Sequence, residues 1–166
     1  LALCHCAIYA PNGFDLGTFG SAPTKFDADD LTSLTARILH AKPVSAVADR
    51  LSEAGVPEAD HAAFWAAVSE NVERIDDVDG WWSLCRDGAT PVVADEDRAF
   101  VAEALGLLPA RPWTDATWGE WTTAVKAQTG RKGRQLFMPL RLALTGLERG
   151  PEMARLLPLL QVMPKL

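Results

Sequence analysis

Apolar residues recur at helical spacing along most of the chain. Leu31, Leu34, Ile38 and Leu39 form a first stripe that runs to His40, with Asp27 and Asp30 placed to cap its N-terminal end. After Pro43, the spacing of Val44, Val47, Ala48 and Leu51 predicts a short helix that ends near Gly55. Pro57 opens another, whose apolar side is Phe64, Trp65, Val68 and Val72. The stretch from Ile75 to Cys85 holds Trp81-Trp82. Adjacent side chains on a helix diverge by about 100°, so at most one indole is central to a core face. Both are expected to pack between helices, and one is also a stacking candidate for a nucleobase.

Thr90-Pro91-Val92-Val93-Ala94 has β character but is too short to found a sheet, and reads as an extended connector. Asp95 is placed to cap a helix with Phe100, Val101, Ala104, Leu105 and Leu108 inward. Thr117-Trp118-Gly119-Glu120 has the form of a capping box, followed by Trp118, Trp121 and Val125 at helical spacing and closed by Gly130. A helix from about Arg134 buries Leu136, Leu140 and Leu144, and Pro139 within it predicts a kink that aims Arg141 outward. The last helix starts at Pro151 and carries Met153, Leu156, Leu157 and Leu160. The pattern predicts an all-α chain of about eight short helices in two packed groups, joined near Pro109–Trp113. Residues 1–13 show no clear period; 14–42 form a loop and helix, 43–112 the first subdomain and 113–166 the second.

Composition supports a real core: 48% of residues are hydrophobic and six are Trp. No apolar run is long enough for a membrane span, and no leader segment is readable. Three cysteines argue against a disulfide framework and point to the reducing cytoplasm. Cys4-His5-Cys6 does not make a metal site, because three adjacent ligands cannot all turn to one tetrahedral ion. Cys85 reads as a small core residue. His5, His40 and His61 sit on separate segments, and Gly130 to Gly133 is too short for a Walker-type loop. No catalytic site and no cofactor are expected in this chain.

Charge changes the picture. The chain carries 16 Lys+Arg against 22 Asp+Glu. Between Lys126 and Arg155, however, seven bases face two carboxylates, net +5, which leaves the remainder at −11. An acidic chain with its positive charge gathered in one window points to an anionic partner. At the centre of the window Thr129–Pro151 reads TGRKGRQLFMPLRLALTGLERGP, with Arg131, Lys132, Arg134, Arg141 and Arg149. Gly130 and Gly133 permit close backbone approach, and the following helix start presents free amides. Arg134 and Arg141 lie seven residues apart, about 10 Å along a helix, a reach suited to a splayed single strand. The competing readings are arginines paired with the many carboxylates elsewhere, and a helical adaptor that docks an acidic protein through residues 129–151.

The string T-G-R-K-G-R-x-L-F-M-P-L-R-x-A-L-T-G-x-E-x-G-P, with Leu156-Leu157-Pro158-Leu159-Leu160 after it, resembles the C-terminal anticodon-binding region of bacterial glutamyl-tRNA synthetases of class I. The resemblance covers roughly residues 14–160 and includes Thr24-Lys25-Phe26-Asp27, similar to the family's A-K-F-D, which begins a helix. It implies two small helical subdomains of the helical-cage type. It also implies that Arg141 and the Arg149-Gly150-Pro151 turn face the anticodon loop of glutamate tRNA, or of glutamine isoacceptors, with Arg131, Lys132 and Arg134 on phosphates. The H-I-G-H-like and K-x-S-K-like strings of the family's catalytic half do not occur. ATP and magnesium would therefore belong to a separate catalytic domain or subunit, and neither DNA nor membrane is implied as a partner. Thr35 replaces the family's usual Asn, and Ser69-Glu70 replaces the Arg-Pro of V-R-P-N, so no RNA contact is carried over to those positions.

Overall fold

The computed structural model describes residues 28–164. Cys4-His5-Cys6, the segments 1–13 and 14–27 and the capping Asp27 lie outside the described residues. Within them the chain forms eight α-helices and four 3-10 turns, and no strand. The helices are α1 (Ala28–His40), α2 (Ala48–Glu53), α3 (His61–Val68), α4 (Asp77–Asp87), α5 (Asp95–Gly106), α6 (Thr117–Thr129), α7 (Arg134–Thr145) and α8 (Met153–Leu156). The all-α expectation holds.

Each helix is too short to be stable alone, so packing of its apolar side decides the fold. The stripe expected after Pro57 is fully used: Phe64, Trp65 and Val68 of α3, and Val72 just past the Ser69–Asn71 turn, are all buried. Helix α8 is seated on α3, α5 on α7, and α6 on both α7 and α8. One buried cluster includes Leu51, Phe64, Trp82, Val101, Trp121, Leu140 and Leu156, and so continues across the 112/113 boundary. Trp121 ties the two sides by donating its indole N–H to the carbonyl of Ala104 at 2.7 Å, which closes the end of α5 against α6.

Three local expectations are corrected. Among residues 34–40 of α1 only Leu39 is buried, whereas Leu34 and Ile38 are 50% and 54% exposed. That helix packs on the Ser69–Asn71 turn, a small surface that covers only part of its stripe. The capping box does not form. Thr117 Oγ1 turns back to accept from Thr114 N at 2.9 Å, and the Glu120 amide already bonds the Ala116 carbonyl. Asp95 is the first residue inside α5 rather than its cap, a place held by extended Ala94. Its carboxylate accepts from Arg98 at 3.2 Å and still favours the helix dipole.

Candidate nucleic-acid interface

The basic loop is built by two glycines. Gly130 ends α6 at φ 71° and Gly133 precedes α7 at φ 58°, both left-handed, so the chain reverses within four residues. Lys132 and Arg134 project from this loop into solvent. Arg131 behaves differently. It forms an ion pair with Asp97 of α5, and its guanidinium lies 4.1 Å from the centroid of the Phe100 ring. Its Nη1 also reaches the Gln135 carbonyl at 3.4 Å. That carbonyl is the one whose helical partner Pro139 cannot supply, since proline has no N–H. Arg131 therefore orients the loop on α5. The hollow beside it, about 540 Å³, is lined by Glu96 and Asp97 as well as Arg131 and Arg134, and its carboxylates make it a poor seat for an anion.

At the other end of α7, Arg141 does not point straight outward. It is half-buried, and its Nη2 donates to the Pro151 carbonyl at 2.8 Å. Its Nη1 is buried with no acceptor among the described residues. Burial lowers the Arg141 pKa, but a guanidinium stays charged at any working pH. A charged donor left in this state is where an incoming acceptor gains most. Arg149 is exposed on the same turn, and Pro151 is buried beneath it. Gly150 between them has φ 147°, and a Cβ there would stand 2.9 Å from Trp81 Cη2 and 3.6 Å from Arg141 Nη1. The structure thus brings Arg141, Gly150 and Pro151 together around Trp81, while Arg131, Lys132 and Arg134 gather about two helical turns away along α7.

Two aromatic residues add to this surface. Trp81 is half-buried, whereas Trp82 is in the core, edge-to-face with Phe64 at 5.5 Å. Phe137 is 44% exposed and leans on Trp118, with ring centroids 6.3 Å apart. It falls between Arg134 and Arg141 on α7, at the i+3 and i−4 spacings that make helix neighbours. Sequence reasoning passed over Phe137. An aromatic residue outside the Leu136–Leu140–Leu144 stripe was the available signal.

The comparisons with known proteins bear on this arrangement. Residues 90–161 match the family model described as an anticodon binding domain. Over 150 residues the chain is 61% identical to glutamate–tRNA ligase 1 of Ruegeria pomeroyi, covering 90% of this chain and 34% of that protein. The chain thus matches part of glutamate–tRNA ligases, and its residues 90–161 match an anticodon-binding domain. Glutamate–tRNA ligase 2 of Dinoroseobacter shibae is 58% identical over 154 residues, covering 93% of this chain and 35% of that protein. The chain therefore spans about a third of the length of these relatives. The matched residues 90–161 include Arg141, Arg149, Gly150 and Pro151, and Trp81 joins them from α4, outside that match.

Proposed function

We propose that this chain binds glutamate tRNA through the anticodon loop. The observation that carries the reading is Arg141: a half-buried guanidinium fixed by Pro151 through one nitrogen and without an acceptor among the described residues at another, beside an exposed Arg149. Such a group is oriented before the ligand arrives, so it can discriminate among base edges rather than merely attract phosphate. Lys132 and Arg134, exposed and without ion pairs among the described residues, supply phosphate contacts. Phe137 between Arg134 and Arg141 makes an alternation of cation and aromatic ring, the pattern that holds splayed single strands. Arg131 supports the loop from beneath. Binding serves glutamate–tRNA ligation, with ATP, magnesium and the bond-forming chemistry supplied by a catalytic domain in the same protein or in trans, in the cytoplasm.

Chemical footprinting of glutamate tRNA with the 166-residue chain tests this. Protection is expected in the anticodon loop and the adjoining stem. Protection confined to the acceptor arm or the elbow would refute it.

A further inference from the structure

Helices α6 and α7 end in the same local device. The first closes on Thr129-Gly130 and the second on Thr145-Gly146, with Gly130 and Gly146 left-handed at φ 71° and 68°. In each, the threonine hydroxyl donates to the carbonyl four residues back at 2.8 Å, Val125 for Thr129 and Arg141 for Thr145. Each hydroxyl also accepts the amide N–H two residues ahead, from Arg131 at 3.3 Å and from Leu147 at 3.1 Å. We infer that Thr145 is a positioning residue for Arg141: its hydroxyl ties the Arg141 carbonyl to the Leu147 amide, and so fixes the turn that holds the Arg141 guanidinium. The inference rests on the tRNA-binding reading and concerns a residue that touches no RNA.

The bonds form a closed path that starts and ends on Arg141. Its carbonyl accepts from Thr145, whose oxygen accepts from the Leu147 amide. The chain then runs through Arg149 and Gly150 to Pro151, whose carbonyl accepts from Arg141 Nη2 at 2.8 Å. A hydroxyl has one proton and two lone pairs, so it serves Arg141 and Leu147 at once. The Leu147 carbonyl, at 3.2 Å, is the longer of its two acceptors. Thr145 is 3% exposed, so water does not compete for these bonds. Without the hydroxyl, the start of the turn stays in place, because the Gly146 amide still donates to the Leu142 carbonyl at 2.9 Å. What is lost is the direction in which the chain leaves Gly146, and with it the position of the Pro151 carbonyl. A guanidinium reads a base edge only in the orientation in which its fixed fork is held. Thr129 has no such return path, since the Arg131 guanidinium is held by Asp97 and Phe100 of α5. It is therefore the built-in control.

The test compares the affinity of the 166-residue chain for anticodon stem-loops of glutamate tRNA and of an unrelated tRNA, read by fluorescence anisotropy. Thr145→Val removes the hydroxyl at nearly constant shape and should lower the preference for the glutamate stem-loop from about tenfold to about threefold or less. Thr145→Ser should restore it. In the Arg141→Ala background, Thr145→Val should not weaken the glutamate stem-loop further, because both changes act through one group. Thr129→Val makes the same deletion in the other turn and should leave the preference intact. Full preference in Thr145→Val, an equal loss in Thr129→Val, or a further loss in the Arg141→Ala background overturns the inference and leaves the tRNA reading standing. Should Thr145→Val not fold, hydrogen exchange of the wild-type chain decides: the Leu147 amide is expected to exchange at least about tenfold more slowly than in an unstructured chain, and an unprotected amide overturns the closed path. If the wild-type chain does not favour the glutamate stem-loop over the unrelated one, the tRNA reading falls and this inference falls with it.

Discussion

Replacing Arg131 by Ala separates a residue that builds the site from one that touches RNA. The guanidinium is paired with Asp97, the two side chains being 30% and 24% exposed, so the pair is partly shielded from water. An ion pair in that setting is worth about 1 kcal/mol. The contact with Phe100, at 4.1 Å from the ring centroid, adds about 0.5–1 kcal/mol. The 3.4 Å approach to the Gln135 carbonyl is long and adds little. Asp97, left alone, remains in the first turn of α5, where the helix dipole offsets part of its stranded charge. The net loss is then about 2 kcal/mol, and in a chain of this size each kcal/mol lowers the melting temperature by roughly 2–4 °C. Thermal melts should therefore show Arg131→Ala about 4–8 °C below wild type. A double-mutant cycle with Asp97→Asn should return a coupling of about 1 kcal/mol. An unchanged melt together with a salt slope of RNA binding reduced by about one unit would refute the reasoning and make Arg131 a phosphate contact.

Four further outcomes follow from the same geometry. Arg141→Ala should melt close to wild type, because the loss of one charge-assisted hydrogen bond is offset by removal of a buried donor that has no acceptor, and no carboxylate is stranded among the described residues, yet should cost about 1–3 kcal/mol in stem-loop affinity; a large drop in melting temperature with anticodon preference intact contradicts this. Lys132→Ala and Arg134→Ala, both at exposed positions, should each flatten the log–log salt dependence by roughly one unit and weaken all tRNAs equally. Gly150→Ala should destabilise by about 1–3 kcal/mol in urea unfolding, since its φ of 147° disfavours a side chain and the new Cβ would meet Trp81 at 2.9 Å; a neutral result means that the turn relaxes freely. Burial pushes the Cys85 thiol up to about 12, so the stability it contributes is full below pH 9.0 and is lost as pH rises towards 12; rapid alkylation of the folded protein at neutral pH would contradict that burial.

Helical periodicity showed the fold where a stripe met a large partner. Phe64, Trp65, Val68 and Val72 at i, i+1, i+4 and i+8 could not be exposed together, and all are buried. The Trp81-Trp82 divergence was equally readable, because adjacent positions on a helix cannot share a core face. Periodicity does not report how large the opposing surface is, so Leu34 and Ile38 looked the same as Leu39. Capping patterns failed for a related reason. Thr117 has a second acceptor role within reach, the Thr114 amide, and nothing in T-x-x-E reveals which bond wins. The candidate site was half legible. The basic window located the surface, but charge alone could not tell Arg131, engaged by Asp97 and Phe100 from another helix, from Lys132 beside it. Nor could spacing predict that Arg141 would find the Pro151 carbonyl, ten residues on, or that Trp81 would close over Gly150. These are tertiary contacts, set by how α4, α5, α7 and α8 pack.

The most direct measurement is the affinity of the 166-residue chain for two anticodon stem-loops that differ only in the anticodon, glutamate and an unrelated one, over a salt series. Both affinities should fall linearly with log salt at similar slope, as phosphate contacts require, while the preference for the glutamate stem-loop, about tenfold or more, persists because it arises from base edges. Equal affinity for the two stem-loops at every salt concentration would reduce the surface to a general polyanion binder and contradict the account.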